Sequence, residues 1–414
     1  MPFELETGRV APLRGHTAKT YTRGTHRTIP PDETLARLTP LLPQMGITRL
    51  ANVTGLDTIG IPVVMSVRPL SRSLSVSQGK GLDLVSAKVS AAMESIEGYH
   101  AERITGPLHL ASYDELRRGH LVVDPRQLPM SDRRCFQTSL PLLWIAGDDW
   151  LRRERVWVPF QLVHTAYTAR MRWDLVGFAA STTGLASGNH LLEAVSHALC
   201  EIVERDASAR FSALPDEAAR DARRLDLRTI DDADCRSVLE RYRCAGVDVA
   251  VWDITSHVGV AAFECLIAEH HDDPTRLLSS ARGAGCHPAR EVALLRALTE
   301  AAQSRLTIIA GSREDMSRSD YAAWRDPVNT RRWRDEAVDR GAVVFTSIPS
   351  FASHSFEEEV VLLLDAGASD GCDRIVVIEL TRPEIAIPVV RVIASGLHDA
   401  GHRHPIARLV GDRR

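Results

Sequence analysis

The chain has 414 residues, of which 44% are hydrophobic and 25% charged, with a formal net charge of −4. This is the composition of a globular protein, and it offers no basic footprint for nucleic acid or an anionic membrane surface. No stretch approaches the apolar run needed to cross a bilayer, and Met1–Glu6 lacks the basic start and apolar core of a secretion signal, so a cytoplasmic protein is expected.

Along the chain, Pro30-Pro31 announces a helix start, and Leu35 and Leu38 give a short amphipathic helix that Pro40, Pro43 and Gly46 end. Residues 47–53 and 61–67 read as strands around a Gly55-Leu56-Asp57 turn, and 86–101 as a long helix. Residues 157–164 and 247–255 are strand candidates, the latter forming a hairpin with 259–268; helices are expected over 189–209 and 289–309. The charged stretches 213–234 and 312–341 read as peripheral, the second as a surface helical excursion. A helix over 356–366 and strands over 375–380 and 387–393 follow. This alternation predicts a mixed α/β fold in one large domain. The seven cysteines (Cys135, Cys200, Cys235, Cys244, Cys265, Cys286, Cys372) form no C-x-x-C pair, which argues against a disulfide framework or a structural zinc site.

The three long helices repeat one pattern: Ser90-x-x-x-Glu94-x-x-Glu97, His197-x-x-x-Glu201-x-x-Glu204 and Arg296-x-x-x-Glu300-x-x-Gln303. A glycine-bearing stretch, read as a loop, precedes each: Gly79-Lys80-Gly81, Gly184–Asn189 and Gly283-Ala284-Gly285. At about 100° per residue, Asn189, Glu193, His197, Glu201 and Glu204 share one helical stripe. A solvated face normally mixes Lys and Arg with Glu, but this stripe meets no cation before Arg205. Like charges one turn apart repel unless a cation lies between them, and carboxylates from two helices suit Mg2+. Amides of a glycine loop at a helix start, with the Lys80 ammonium, would hold phosphates. No Walker A motif and no kinase H-R-D or D-F-G set occurs.

These blocks, with Gly285-Cys-His-Pro288 and Arg305 after the third, resemble the YcaO family over about residues 19–397. The resemblance implies Glu-bearing helices packed on mixed or antiparallel sheets around a central ATP site. It divides the chain into a 1–60 segment contributing to the nucleotide site, a 61–398 YcaO domain and a short 399–414 tail. It implies Glu94, Glu97, Glu201 and Glu204 as magnesium ligands, and Lys19, Thr25, Ser90, Asn189, Glu193 and Arg205 as nucleotide contacts. Lys80 and Arg305 are set near the phosphates on charge and position.

Gly24-Thr25-His26-Arg27, Thr54-Gly-Leu-Asp57 and Arg382–Val392 are similar to the TfuA-associated branch. That branch implies ATP- and Mg2+-dependent thioamide formation on a ribosomally made peptide or protein, with a TfuA-like partner and a sulfur donor. An azoline-forming cyclodehydratase and a non-catalytic peptide-recognition scaffold are the alternatives; a homodimer is left open. Against the first alternative stands the Leu409–Arg414 ending, without the P-x-P-x-P terminus of azoline-forming members; Ala394–His398 also departs from the Pro-Gly-Leu-Glu of relatives. Against the scaffold stands the retention of four mutually repelling carboxylates. His197 and His287 are acid–base candidates, and Asp57 and Arg391 candidates for lining the peptide site. Cys286 is read first as a packing residue and second as a sulfur relay.

Overall fold

The computed structural model describes Leu13 and residues 15–130, 136–167, 177–178, 181–270, 280–324, 326–338 and 341–397. The expected 399–414 tail, His398 and Cys135 lie outside them. Pro31 opens the first helix, α1 (Pro31–Leu38), where its missing N–H costs nothing. β1 (Arg49–Asn52) and β2 (Val63–Val67) pair antiparallel around a 3₁₀ turn at Thr54–Leu56, and β3 (Val76–Lys80) joins the free side of β2. A domain boundary at residue 60 therefore runs through a sheet, between two paired strands. Asp83 caps α2 (Leu84–Ala101) by accepting from the Ser86 amide, and this helix lies back over the sheet.

β4 (Leu108–Ser112), the short α3 (Tyr113–Leu116), β5 (Pro141–Asp149) and β6 (Glu154–Pro159) begin a second sheet, which β7 (Leu185–Ser187) also enters. The strand expected over 157–164 ends early, because Pro159 has no amide to donate and the chain turns through 160–162. After α4 (Leu191–Ser212), α5 (Glu217–Asp221) and α6 (Ala233–Cys244), a third sheet forms from β8 (Val247–Asp253), β9 (Ala262–Glu269) and β10 (Ala281–Cys286) in the order β10-β9-β8. α7 (Arg290–Ala310), α8 (Arg318–Trp324), α9 (Pro327–Ala337) and α10 (Phe356–Ser369) follow. β11 (Ile375–Glu379) and β12 (Val389–Ala394) then complete the second sheet as β4-β5-β11-β12-β7, with β6 on β5. The 312–341 excursion is less superficial than its charge suggests, since Trp324 and Trp333 are buried in the core with α4 and α10.

The glycine stretches are largely strand rather than loop. Gly79 lies in β3, Gly188 directly follows β7, and Gly283 and Gly285 lie in β10. Each faces the helix of its own repeat: a Cβ on Gly79 would overlap the Ala91 amide of α2, one on Gly188 the Ala194 amide of α4, and one on Gly283 the Ala301 amide of α7. Absent side chains on the strand and alanines on the helix let each helix sit nearly on the backbone of its strand. Gly283→Ala is expected to lower stability by about 1–3 kcal/mol through overpacking against a rigid helix backbone, read as a lower urea midpoint with unchanged slope.

The contacts then close on themselves: α2 lies on β3 and β7, α4 on β7 and β10, and α7 on β10 and β3. Each of β3, β7 and β10 is the end strand of its sheet. Three strand–helix units are thus arranged in a ring, and the carboxylates point into it.

One buried ion pair secures the first unit. Arg68 Nη1 and Nη2 donate to both Glu102 oxygens at 2.6 and 2.7 Å, and the Ser71 and Ser73 hydroxyls add 2.7 and 2.6 Å bonds. Burial alone would raise the Glu102 carboxyl, but Arg68, Ser73 and Ser71 outweigh it and hold it at about 2. A depressed acid stabilises the fold above its ordinary value of 4.5 and loses that contribution as pH falls toward 2. Acid unfolding should therefore begin between pH 4.5 and 2, and Glu102→Gln should flatten the stability–pH curve in that window.

Candidate functional site

The first glutamate of each repeat is tied to its own unit. Glu94 Oε2 accepts from the Gln78 amide of β3 at 3.2 Å, Glu201 Oε2 from the Gly184 amide before β7 at 3.0 Å, and Glu300 Oε1 from the Ala284 amide of β10 at 3.2 Å. The second position reaches the next unit of the ring. Glu97 Oε1 accepts from the Ser187 amide and hydroxyl of β7 at 2.9 and 2.7 Å, while Gln303 Nε2 donates to the Gln78 carbonyl of β3 at 3.2 Å. Glu204 lies close enough to Cys286, at the end of β10, to help push its thiol up.

Five carboxylates therefore converge with two cations among them. Lys80 Nζ pairs with Glu300 at 2.5 Å and Arg205 with Glu201 at 3.4 Å. The carboxylates are not relieved by this. Burial, together with Glu201, raises Glu94 to about 7 against Arg313 and Lys80; burial, with Glu94 and Glu201, raises Glu97 to about 8; burial, with Glu300 and Glu201, raises Glu204 to about 7. Burial also raises Glu300, but Lys80 and Arg205 prevail and hold it low. Arg205 is kept protonated, since Glu201, Glu204 and Glu300 outweigh its desolvation. Glu94 is solvent-exposed yet strongly desolvated. Oxygen donors from separate helices, each preferring a proton to a bare charge, fit a hard divalent cation such as Mg2+.

Beside the carboxylates lies a cationic wall. His197 is driven well below its ordinary value, first by burial and then by Arg296, Arg27, Lys80 and His287, and so is neutral at pH 7.

The N-terminal strap is laced over this region. The Thr28 amide and hydroxyl donate to Glu193 Oε2 at 3.0 and 2.8 Å, and Asn189 Nδ2 donates to Glu193 Oε1 at 3.4 Å. Lys19 Nζ donates to Glu359, Ser353 and His26 Nδ1, and the Thr17 amide and hydroxyl donate to Glu357. At the tip of the strap, Gly24 is wedged between Leu82 and Leu295, and the Thr25 hydroxyl is buried without a partner. An orphaned hydroxyl costs about 1–3 kcal/mol unless something accepts it, and a bound phosphate or ribose would.

The expected site residues therefore divide. Glu94, Glu97, Glu201, Glu204, Arg205 and Lys80 converge, with His197 beside them and half-buried Ser90 one turn before Glu94. Asn189, Glu193 and Thr25 line the strap, whereas Lys19 spends its ammonium on Glu359 and is buried. Arg305 is not brought to the carboxylates. It is fully buried between Asp57 (2.8 Å) and Glu269 (2.5 Å), because five residues from Glu300 turn it about 140° away around the helix. The same pairing removes Asp57 from a peptide-facing role. Cys286 is fully buried and its thiol is pushed up by burial, which leaves packing as its role. Arg391 is buried and donates to the Ser181 carbonyl at 2.7 Å.

Residues 78–398 match the family model described as YcaO cyclodehydratase, ATP- and Mg2+-binding. The chain belongs to the YcaO family. An uncharacterized protein of Mycobacterium tuberculosis is 36% identical over 402 residues, spanning 92% of this chain and 84% of that one. A Rhizobium leguminosarum bv. trifolii protein from the tfuA 3′ region is 34% identical over 378 residues, spanning 90% and 88%. Among solved structures, the fold matches YcaO from Methanopyrus kandleri bound with AMPPCP and Mg2+ (TM-score 0.74, 23% identity, 92% of this chain and 95% of that one). It also matches a heterocyclase in complex with substrate and cofactor (TM-score 0.75, 21% identity, 94% of this chain) and spans 55% of that longer chain. As a YcaO protein, it takes ATP and Mg2+ as its cofactors.

The sequence did not single out several members of the site. Glu300 carried the repeat signal, but the four glutamates implied as magnesium ligands leave the third copy out. Glu359 gave no signal, because in Glu357-Glu358-Glu359 it reads as ordinary acid at a helix start, favourable to the dipole. In the fold it receives Lys19 and Ser196, with His26 Nδ1 at 3.5 Å and His287 Nε2 at 3.6 Å. His26, His287 and Glu359 are spaced as metal ligands would be. The tautomer argues otherwise: the Ala289 amide donates to His287 Nδ1 at 3.0 Å, so Nε2 carries the hydrogen and faces Glu359 as a donor. Lys19 likewise occupies the lone pair of His26 Nδ1. The cluster is a buried clasp that anchors the strap.

Proposed function

We propose that this protein activates peptide-backbone amides at the expense of ATP and converts them to thioamides, together with a TfuA-type partner and a sulfur donor. The observation that carries the ATP-dependent part is the ring of carboxylates from three helices, too charged for a bare interior, set against the cationic wall of Lys80, Arg296 and Arg27. The relative from the tfuA 3′ region supports the thioamide branch.

Glu94, Glu97, Glu201 and Glu204 would hold Mg2+, and Thr25, Asn189 and the cationic wall the nucleotide. When bound, these supply a phosphoryl group that makes the amide oxygen a leaving group, with metal charge to steady it. The chain's own residues do the rest. Lys80 and Arg205 offset phosphoryl charge, and neutral His197 can take the proton shed as sulfur becomes doubly bonded to carbon. The new bond is C–S, the bond lost is C–O, and the oxygen departs on phosphate.

Protein, TfuA-type partner, peptide, sulfide and ATP are expected to give ADP, phosphate and a peptide about 16 mass units heavier, as sulfur replaces oxygen in an activated amide. Equal turnover with loss of water instead would sink thioamidation in favour of azoline formation.

A further inference from the structure

The N-terminal strap is held chiefly by hydrogen bonds and ion pairs. No residue from 15 to 30 belongs to the apolar core, and the strap is laced instead to three buried glutamates, Glu193 on α4 and Glu357 and Glu359 on α10. Its outer part is a small hairpin. Tyr21 and Arg27 exchange backbone bonds of 3.1 and 2.8 Å, and Gly24, at φ +70°, makes the turn between them. This hairpin carries the buried Thr25 hydroxyl, which has no partner among the described residues, and Arg27 of the cationic wall.

Among the three anchors, Glu359 reaches both arms of the hairpin. On the first arm, Lys19 Nζ donates to Glu359 Oε2 and also to His26 Nδ1 of the second arm at 3.2 Å, and His26 Nδ1 stands 3.5 Å from the same carboxylate oxygen. The Ser196 hydroxyl of α4 donates to Glu359 Oε1 at 2.5 Å. One carboxylate thus ties both arms to α4 and α10. Burial would raise it, but His287, His26 and Lys19 outweigh burial and hold it well below its ordinary value, so it stays ionised.

Without that charge the buried Lys19 ammonium would have no counter-ion, and its readiest relief is to swing the strap into water. No apolar core resists the movement, so the strap can open while the rest of the chain stays folded. Closure without ligand leaves the Thr25 hydroxyl unsatisfied, a penalty that a bound nucleotide would remove. Clasp and nucleotide therefore favour the same closed state.

We infer that Glu359 is a positioning residue for the nucleotide: without touching it, this carboxylate sets its affinity by holding the strap closed. This rests on the reading above that Thr25 and the cationic wall hold the nucleotide.

The test compares Glu359→Gln with the parent, well below the melting temperature, by the Kd of a non-hydrolysable ATP analogue with Mg2+ and by tryptic cleavage after Arg23 at the exposed hairpin tip. Kd is expected to rise about 30-fold, as for the loss of one partner of a buried charge pair. Cleavage is expected to quicken without nucleotide and to return to the parental rate at saturation, since the bound nucleotide closes the strap again. Because a change at buried Glu359 can disturb folding, Gly24→Ala serves as the second variant. Its Cβ would stand 2.7 Å from Leu82 Cδ1 and 2.9 Å from Leu295 Cδ2, which lifts the hairpin with the clasp intact, and the same two changes are expected. A parental Kd with a lowered melting temperature makes Glu359 a structural residue and overturns the inference. So does weak binding with cleavage unchanged, since the carboxylate would then act on the nucleotide directly. Arg296→Gln, a change in the wall outside the strap, checks the underlying reading. An unchanged Kd there sinks the placing of the nucleotide against the wall, whereas weak binding there beside a parental Kd in Glu359→Gln sinks the clasp alone.

Discussion

Glu97→Gln is expected to cut Mg2+-dependent ATP consumption at least ~100-fold, the loss usual when one group that steadies transition-state charge is removed. The same change is expected to make the protein without metal more stable at alkaline pH. In the fold the Glu97 carboxyl is pushed up from 4.5 to about 8, by burial first and by Glu94 and Glu201, against the bonds from Ser187. A raised acid holds its proton in the native state beyond the point where the unfolded chain gives it up. Stability is therefore full below pH 4.5 and falls as pH rises toward 8. Glutamine cannot ionise and escapes that fall. Melting curves at pH 5 and 9 without metal should coincide at the lower value and separate at the higher, with the variant a few degrees above. Mg2+ with an ATP analogue should then stabilise the parent protein more than the variant. A variant that melts lower throughout and keeps its ATP turnover would make Glu97 a packing residue.

Arg305→Ala should destabilise by about 3–5 kcal/mol, because it leaves Asp57 and Glu269 with uncompensated charge beside a buried void. Charge and position in the sequence set this arginine near the phosphates, and the fold sets it in the ion pair that joins the turn after β1 to β9 and α7. The measurement that separates the two is nucleotide affinity well below the melting temperature. The folded fraction should bind nucleotide as the parent does, whereas weak binding with unchanged stability would return Arg305 to the active site.

The carboxylate repeat was legible because helical periodicity is a local property: Glu193, Glu201 and Glu204 fall on one stripe whatever the rest of the chain does. Both β8–β9 and the α1 start were legible for the same reason, each resting on a few adjacent residues. The glycine stretches were misread because composition cannot distinguish a glycine that frees a loop from one that admits a helix; the difference is the alanine opposite, Ala91 or Ala301, and only the fold pairs them. β5 was missed since Gly147, Asp148 and Asp149 interrupt its apolar run, although Gly147 is there to admit Val376 and Ile378. Arg305 and Glu359 were misjudged in opposite senses. Their partners, Asp57 and Lys19, lie hundreds of residues away, so nothing in the neighbouring sequence marks a buried ion pair or a clasp.

The ring of units also answers a problem that has nothing to do with catalysis. An end strand exposes unpaired amides and carbonyls and is a template for aggregation. Here β3, β7 and β10 are end strands, and each turns its glycine-rich, weakly protected backbone toward helices of its own and the preceding unit. Part of that backbone, at Gln78, Ser187 and Ala284, is bonded to the converging carboxylates themselves. Losing any one unit would thus uncover a sticky edge as well as dismantle the site. Fragments of this chain should precipitate rather than persist as inactive halves, and selection against insolubility would guard the active-site glutamates alongside selection for turnover.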